Sequence, residues 1–143
     1  LQIHAGDIDA AIDAYPGGSD LRGEAREAAR VRAECAWNWI TTYAPEDFRF
    51  RLRAPSEGAV ELDERLRPVV VELRDRLEGE YDLLDEKGIQ ELIYEVSRGN
   101  GVEPKEFFPA MYMILVGKEK GPRLGGFIKT IGKERVLGLL GPY

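Results

Sequence analysis

The sequence is short of the residues that most chemistry needs. Among 143 residues there is one cysteine, Cys35, and one histidine, His4. A lone cysteine closes no internal disulfide and builds no cysteine-based zinc site, which fits a reducing, cytoplasmic setting. With one histidine and one cysteine, no nucleophile–base pair of the Cys–His or Ser–His kind has support. Carboxylates are plentiful but scattered, so no pair is singled out for acid–base work. Long apolar runs are missing as well. The longest, residues 69–71 and 111–116, fall far short of the roughly 18–20 residues of a membrane span. No initiator methionine and no signal peptide precede His4, so the chain reads as a fragment of a longer polypeptide.

What is present suits a globular protein. Hydrophobic residues make up 43% and charged residues 32%, enough for one compact domain spanning 1–143. The net charge of −6 speaks against nucleic acid, but it is unevenly spread. Residues 1–109 carry 14 Lys/Arg against 24 Asp/Glu, whereas residues 110–143 carry 6 against 2. A basic end on an acidic body can be a local phosphate site or only a solvated face.

Periodicity is helical almost throughout. Asp7 is a good N-cap for a short helix, which Pro16-Gly17-Gly18 stops. A long helix from Ser19 or Asp20 to about Tyr43 follows, ended by Ala44-Pro45. Within 44–60, an extended linker, Phe48, Phe50 and Leu52 alternate with Arg49, Arg51 and Arg53. A third helix over about 63–77 contains Pro68, which must kink it or mark its true start. A fourth runs from Asp85 to about Arg98, and a fifth from Pro104 to Gly117. Two short helices fill about 122–131 and 133–140. The fold class is all-α, a helix bundle.

A wheel drawn on the long helix with Trp39 at its centre gathers Leu21, Ala25, Ala28, Ala29, Cys35, Ala36 and Tyr43 into one stripe, the expected core. Trp37 falls roughly 160° away, beside Arg26 and Arg30. It is either an exposed stacking platform or a contact for another domain. Arg32 lies near the stripe centre, where it is either a paired internal charge or a group reaching RNA across a groove. Lys118, Lys120 and Arg123 sit on a Gly-bounded turn that enters a helix N-terminus, a setting suited to phosphate. Arg49, Arg51 and Arg53 share one side of an extended segment, able to read splayed-out bases or to cover the bundle.

Two motif-like stretches mislead. His4-Ala5-Gly6-Asp7 looks like a nucleotide-handling His-x-Gly element, but only three residues precede it, too few for the required strand. The spacing from Gly126 to Gly132-Lys133 is one residue too long for a P-loop, and Glu134 replaces the metal-binding Ser or Thr.

Three other stretches together resemble one family. They are Arg30 through Ile40 with Tyr43-Ala44-Pro45-Glu46, Ile89 through Phe108, and Leu115-Val116-Gly117-Lys118-Glu119-Lys120-Gly121-Pro122-Arg123-Leu124-Gly125 leading to Ile131-Gly132-Lys133-Glu134-Arg135-Val136. Their order and content are similar to the C-terminal, anticodon-binding end of class I lysyl-tRNA synthetases, with glutamyl enzymes as close alternatives. The resemblance implies an anticodon-binding helical cage whose partners are tRNA (lysine acceptor) and an N-terminal catalytic domain. That catalytic domain would use ATP and magnesium. This chain would have no cofactor, metal or catalytic residue of its own. Its tRNA contacts would come from Lys118, Lys120, Arg123, Arg49, Arg51, Arg53, Trp37 and Arg32. A rival from another class is a helical scaffold that binds only protein, for which the acidity speaks.

Overall fold

A computed structural model describes residues 1–143. They form seven α-helices, with short 3-10 turns between several of them and no strand. The all-α expectation holds. The helices belong to two compact units, Leu1–Leu52 and Arg53–Tyr143.

The first unit holds α1 (Ile8–Asp13) and α2 (Gly23–Thr42). Asp7 caps α1, its Oδ1 accepting from the Ala10 amide at 2.9 Å. Gly18 lets the chain turn hard against α1. A Cβ there would lie 1.7 Å from the Ile12 carbonyl oxygen. The Gln2 side-chain amide ties the unit's two ends, donating to the Phe48 carbonyl at 3.2 Å and accepting from the Phe50 amide at 2.7 Å.

The orientation of α2 corrects the wheel. Trp39 is not core: it is 48% exposed, as are Val31 at 50% and Tyr43 at 71%. The half-buried side instead carries Arg26, Ala29, Arg30, Ala33, Trp37 and Ile40. Two sets of contacts from outside the helix set this rotation. The Trp37 indole presses on Gly6, where any Cβ would come within 2.5 Å of the ring. The guanidinium of Arg26 bridges Asp9 at 3.0 Å and Asp13 at 2.8 Å, and Arg30 also binds Asp9. Both arginines hold the Asp9 carboxyl below the ordinary aspartate range, Arg30 most strongly.

The second unit packs α3 (Arg67–Glu80), α4 (Glu86–Gly99), α5 (Pro104–Val116), α6 (Leu124–Ile131) and α7 (Lys133–Leu140). Pro68 marks the start of α3 and does not kink it, because a first-turn amide needs no partner. Asp85 caps α4 through Gly88 at 2.7 Å. Val69, Val70, Leu73, Leu77, Ile89, Ile93, Phe107, Met111, Ile114, Leu115, Ile128, Val136 and Leu140 are wholly buried. Removing such side chains from water supplies the main driving force for folding. Gly125 brings α6 tight onto α4, since a Cβ would lie 2.4 Å from the Glu86 carbonyl oxygen.

Candidate nucleic-acid interface

The turn after α5 is built before it is charged. Gly117 leaves the helix in the left-handed region, φ +68°, a conformation glycine adopts without strain. Tyr112, on the last turns of α5, then pins the loop: its hydroxyl donates to the Pro122 carbonyl at 2.6 Å. Its ring lies so close to Gly121 that a Cβ would come within 2.8 Å. Burial, then the neighbouring Tyr94, raises the Tyr112 phenol pKa, so it stays a neutral donor. The resulting rigid turn carries Lys118, half-buried, and Lys120 and Arg123, both exposed.

The backbone contribution expected at the start of α6 is taken up locally. The Gly125 amide donates to Gln90 Oε1 at 2.8 Å. The Glu86 carboxylate stands beside Gly126, 3.2 Å from where a Cβ would be, and brings negative charge to the first turn of α6. A phosphate at this turn would therefore be met by side chains, those of Lys120 and Arg123, and Arg123 also lines an open cleft of about 640 Å³ with Asp85, Glu86, Lys87 and Gly126. Two other cations of the basic end serve the fold. Lys129 donates to the Tyr81 and Leu84 carbonyls, and Lys133 pairs with Asp82 at 2.8 Å.

An aromatic strip that the sequence reading passed over adjoins this turn. Tyr94 of α4 and Phe108 of α5 lie with ring centroids 5.3 Å apart. The Arg98 guanidinium sits 5.5 Å over the Tyr94 ring. Phe108 and Tyr112 are one turn apart on α5, so the strip runs Arg98, Tyr94, Phe108, Tyr112 and ends at the basic turn. Glu91, Tyr94, Glu95 and Arg98 line a cleft of about 530 Å³. The Tyr94–Arg98 spacing of four on one helix was the available signal.

The other sequence candidates are dispersed. Arg53 is not part of a base-reading row. Its side chain is 13% exposed, and its guanidinium binds the Gly58 carbonyl at 3.1 Å and the Glu57 carboxylate at 3.7 Å. The Arg53 amide also donates to the Leu115 carbonyl at 2.8 Å, answering a carbonyl left open at the end of α5. Arg49 donates to the Ala44 carbonyl at 2.9 Å and is half-buried, while Arg51 is exposed. Trp37, packed on Gly6, is no free stacking platform. Arg32 is exposed on the side of α2 away from α1. No three His, Cys, Asp or Glu side chains gather into a group that could hold a metal ion.

Comparison with known proteins adds to this geometry. Residues 43–140 match the model of a family described as "Anticodon binding domain". The chain is also similar to lysine–tRNA ligases. One from Borreliella burgdorferi is 45% identical over 73% of this chain and 20% of its own length. One from Treponema pallidum is 40% identical over 100% of this chain and 26% of its own. One from Methanopyrus kandleri is 38% identical over 85% and 22%. The chain thus spans about a fifth to a quarter of the relatives it matches.

Proposed function

Because the chain belongs to the anticodon-binding domain family, we propose that it is the part of a class I lysine–tRNA ligase that holds the anticodon of the lysine tRNA. The observation that carries this is the family match over residues 43–140, which takes in both the aromatic strip and the basic turn. In this reading Lys118, Lys120 and Arg123 hold the RNA backbone and set its register. Tyr94 and Phe108, with Arg98 over one ring, offer stacking faces to unstacked anticodon bases.

Catalysis, ATP and magnesium belong to polypeptide outside these residues, where lysine would be activated and joined to tRNA in the cytoplasm. The named relatives are lysine enzymes, which supports lysine over the glutamyl alternative. Titrating the chain with transcripts of tRNA-Lys and tRNA-Glu, at low and at high salt, tests the reading. Tighter binding of tRNA-Lys that weakens with salt is expected. Equal binding of both transcripts would remove the lysine assignment, and no binding at low salt would leave a protein-binding scaffold.

A further inference from the structure

Helix α2 is apolar on two sides, and only one of them packs against α1 and the segment before it. Trp37, Ala33 and Ile40 lie on the half-buried side. Round the helix, Ala28, Val31, Cys35 and Trp39 recur at spacings of three and four, the pattern of a second buried stripe. That stripe is exposed, with Val31 at 50% and Trp39 at 48%. At its end the Trp39 ring meets Phe48 edge-on, centroids 5.8 Å apart, and Phe48 is itself 57% exposed. An exposed aromatic pair at the end of an apolar stripe is the kind of anchor around which protein–protein contacts are built.

We infer that this face of α2 is the surface on which the rest of the ligase polypeptide docks. The inference rests on the reading of the chain as part of a longer ligase. Three observations select that occupant. Residues 1–42 lie outside the anticodon-domain match, yet the Treponema pallidum ligase aligns with the whole chain. Helices α1 and α2 therefore align with a ligase while lying outside the family match. Roughly three quarters of that relative lies beyond the aligned part, ample to cover one helix face. Nucleic acid is the poorer fit. Residues 1–52 contain nine Asp/Glu, six Arg and no Lys, and Arg26 and Arg30 already pair with Asp9. The Ala-Val-Cys stripe itself offers no donors to phosphate, and Arg32 is the one exposed arginine that stands within it, a residue equally suited to a protein contact.

Cys35, exposed within the stripe, reports on the face directly. Its alkylation rate would be followed by peptide mass spectrometry in the 143-residue chain and in the complete polypeptide. At least a tenfold slower reaction in the complete polypeptide is expected, independent of protein concentration and of added tRNA. Val31→Glu, on an exposed position, should restore the fast rate in the complete polypeptide while leaving its helical circular dichroism unchanged. Equal rates in the two forms would overturn the inference. So would protection that appears only with tRNA, which would mark an RNA surface, or protection of the 143-residue chain that grows with its concentration, which would mark a second copy. Lysine charging by the complete polypeptide is measured separately, so a failed ligase reading is distinguishable from a failed docking face.

Discussion

Tyr81 and Lys129 hold each other from both ends. The Tyr81 hydroxyl donates to the Lys129 carbonyl at 3.0 Å, and the Lys129 ammonium donates to the Tyr81 carbonyl at 3.1 Å. The same ammonium lies 4.4 Å from the centroid of the Tyr81 ring. The turn between α3 and α4 is thereby fastened to α6 by hydrogen bonds and a cation–π contact, and burial keeps the phenol protonated. A lysine in the basic end is thus a structural clamp.

Breaking that clamp should cost stability without costing RNA affinity. Tyr81→Phe removes a buried hydrogen bond worth about 1–2 kcal/mol. Lys129→Met removes the ammonium from the Leu84 carbonyl, leaves the Tyr81 carbonyl only the Leu84 amide and loses the ring contact. Chemical denaturation of both single variants and the double should give a non-additive cycle, since the two side chains share partners. Full additivity would mean that the pair is not coupled.

Gly125→Ala tests the seam between α4 and α6. The new methyl would meet the Glu86 carbonyl at 2.4 Å and Gln90 Cβ at 2.8 Å, backbone on one side and a helix stem on the other. Overpacking of this kind typically costs about 1–3 kcal/mol. A lower midpoint in thermal melts is expected, and an unchanged one would show that the helices part freely. Gly138→Ala, where only Pro55 stands 3.3 Å away, is the milder control.

Acid should loosen the first unit through Asp9. Its carboxyl is held below the ordinary range by Arg30 and then Arg26, so the folded state takes up a proton less readily than the unfolded chain. The stability this supplies is present above the ordinary aspartate pKa of about 4 and is lost as pH falls below it. Melts between about pH 5 and about pH 2 should fall less steeply for Asp9→Asn than for the parent. Parallel curves would remove Asp9 from the account.

The proposed interface would separate into backbone-holding and base-reading residues. Lys120→Ala and Arg123→Ala should weaken lysine and glutamate anticodon stem-loops alike and lower the salt slope by about one unit or less. Tyr94→Ala should instead narrow the gap between the two RNAs, losing about 1–3 kcal/mol on the preferred one. Trp37→Ala should lower the melting temperature and leave that gap as it was, because the indole is spent on Gly6. If Tyr94→Ala keeps full discrimination, the strip is not the reading surface.

The sequence alone determined which segments are helices. Caps such as Asp7 and Asp85, Pro68 and Pro104 near helix starts and Gly117 at an end act within a turn, so their meaning is local. It also determined the basic turn, because Gly-bounded lysines are readable wherever the chain goes. Tertiary contacts decided which side of α2 faces inward. The wheel centred the core on Trp39, but α2 carries apolar residues on both sides, and Gly6, Asp9 and Asp13 selected the other side from elsewhere in the chain. They also decided the fate of each cation. Whether an arginine meets RNA or a helix end depends on carbonyls and carboxylates brought near by folding, as Leu115 is to Arg53 and Tyr81 to Lys129. The strip from Arg98 to Tyr112 shows the same limit, since only the packing of α4 against α5 lays Tyr94 beside Phe108.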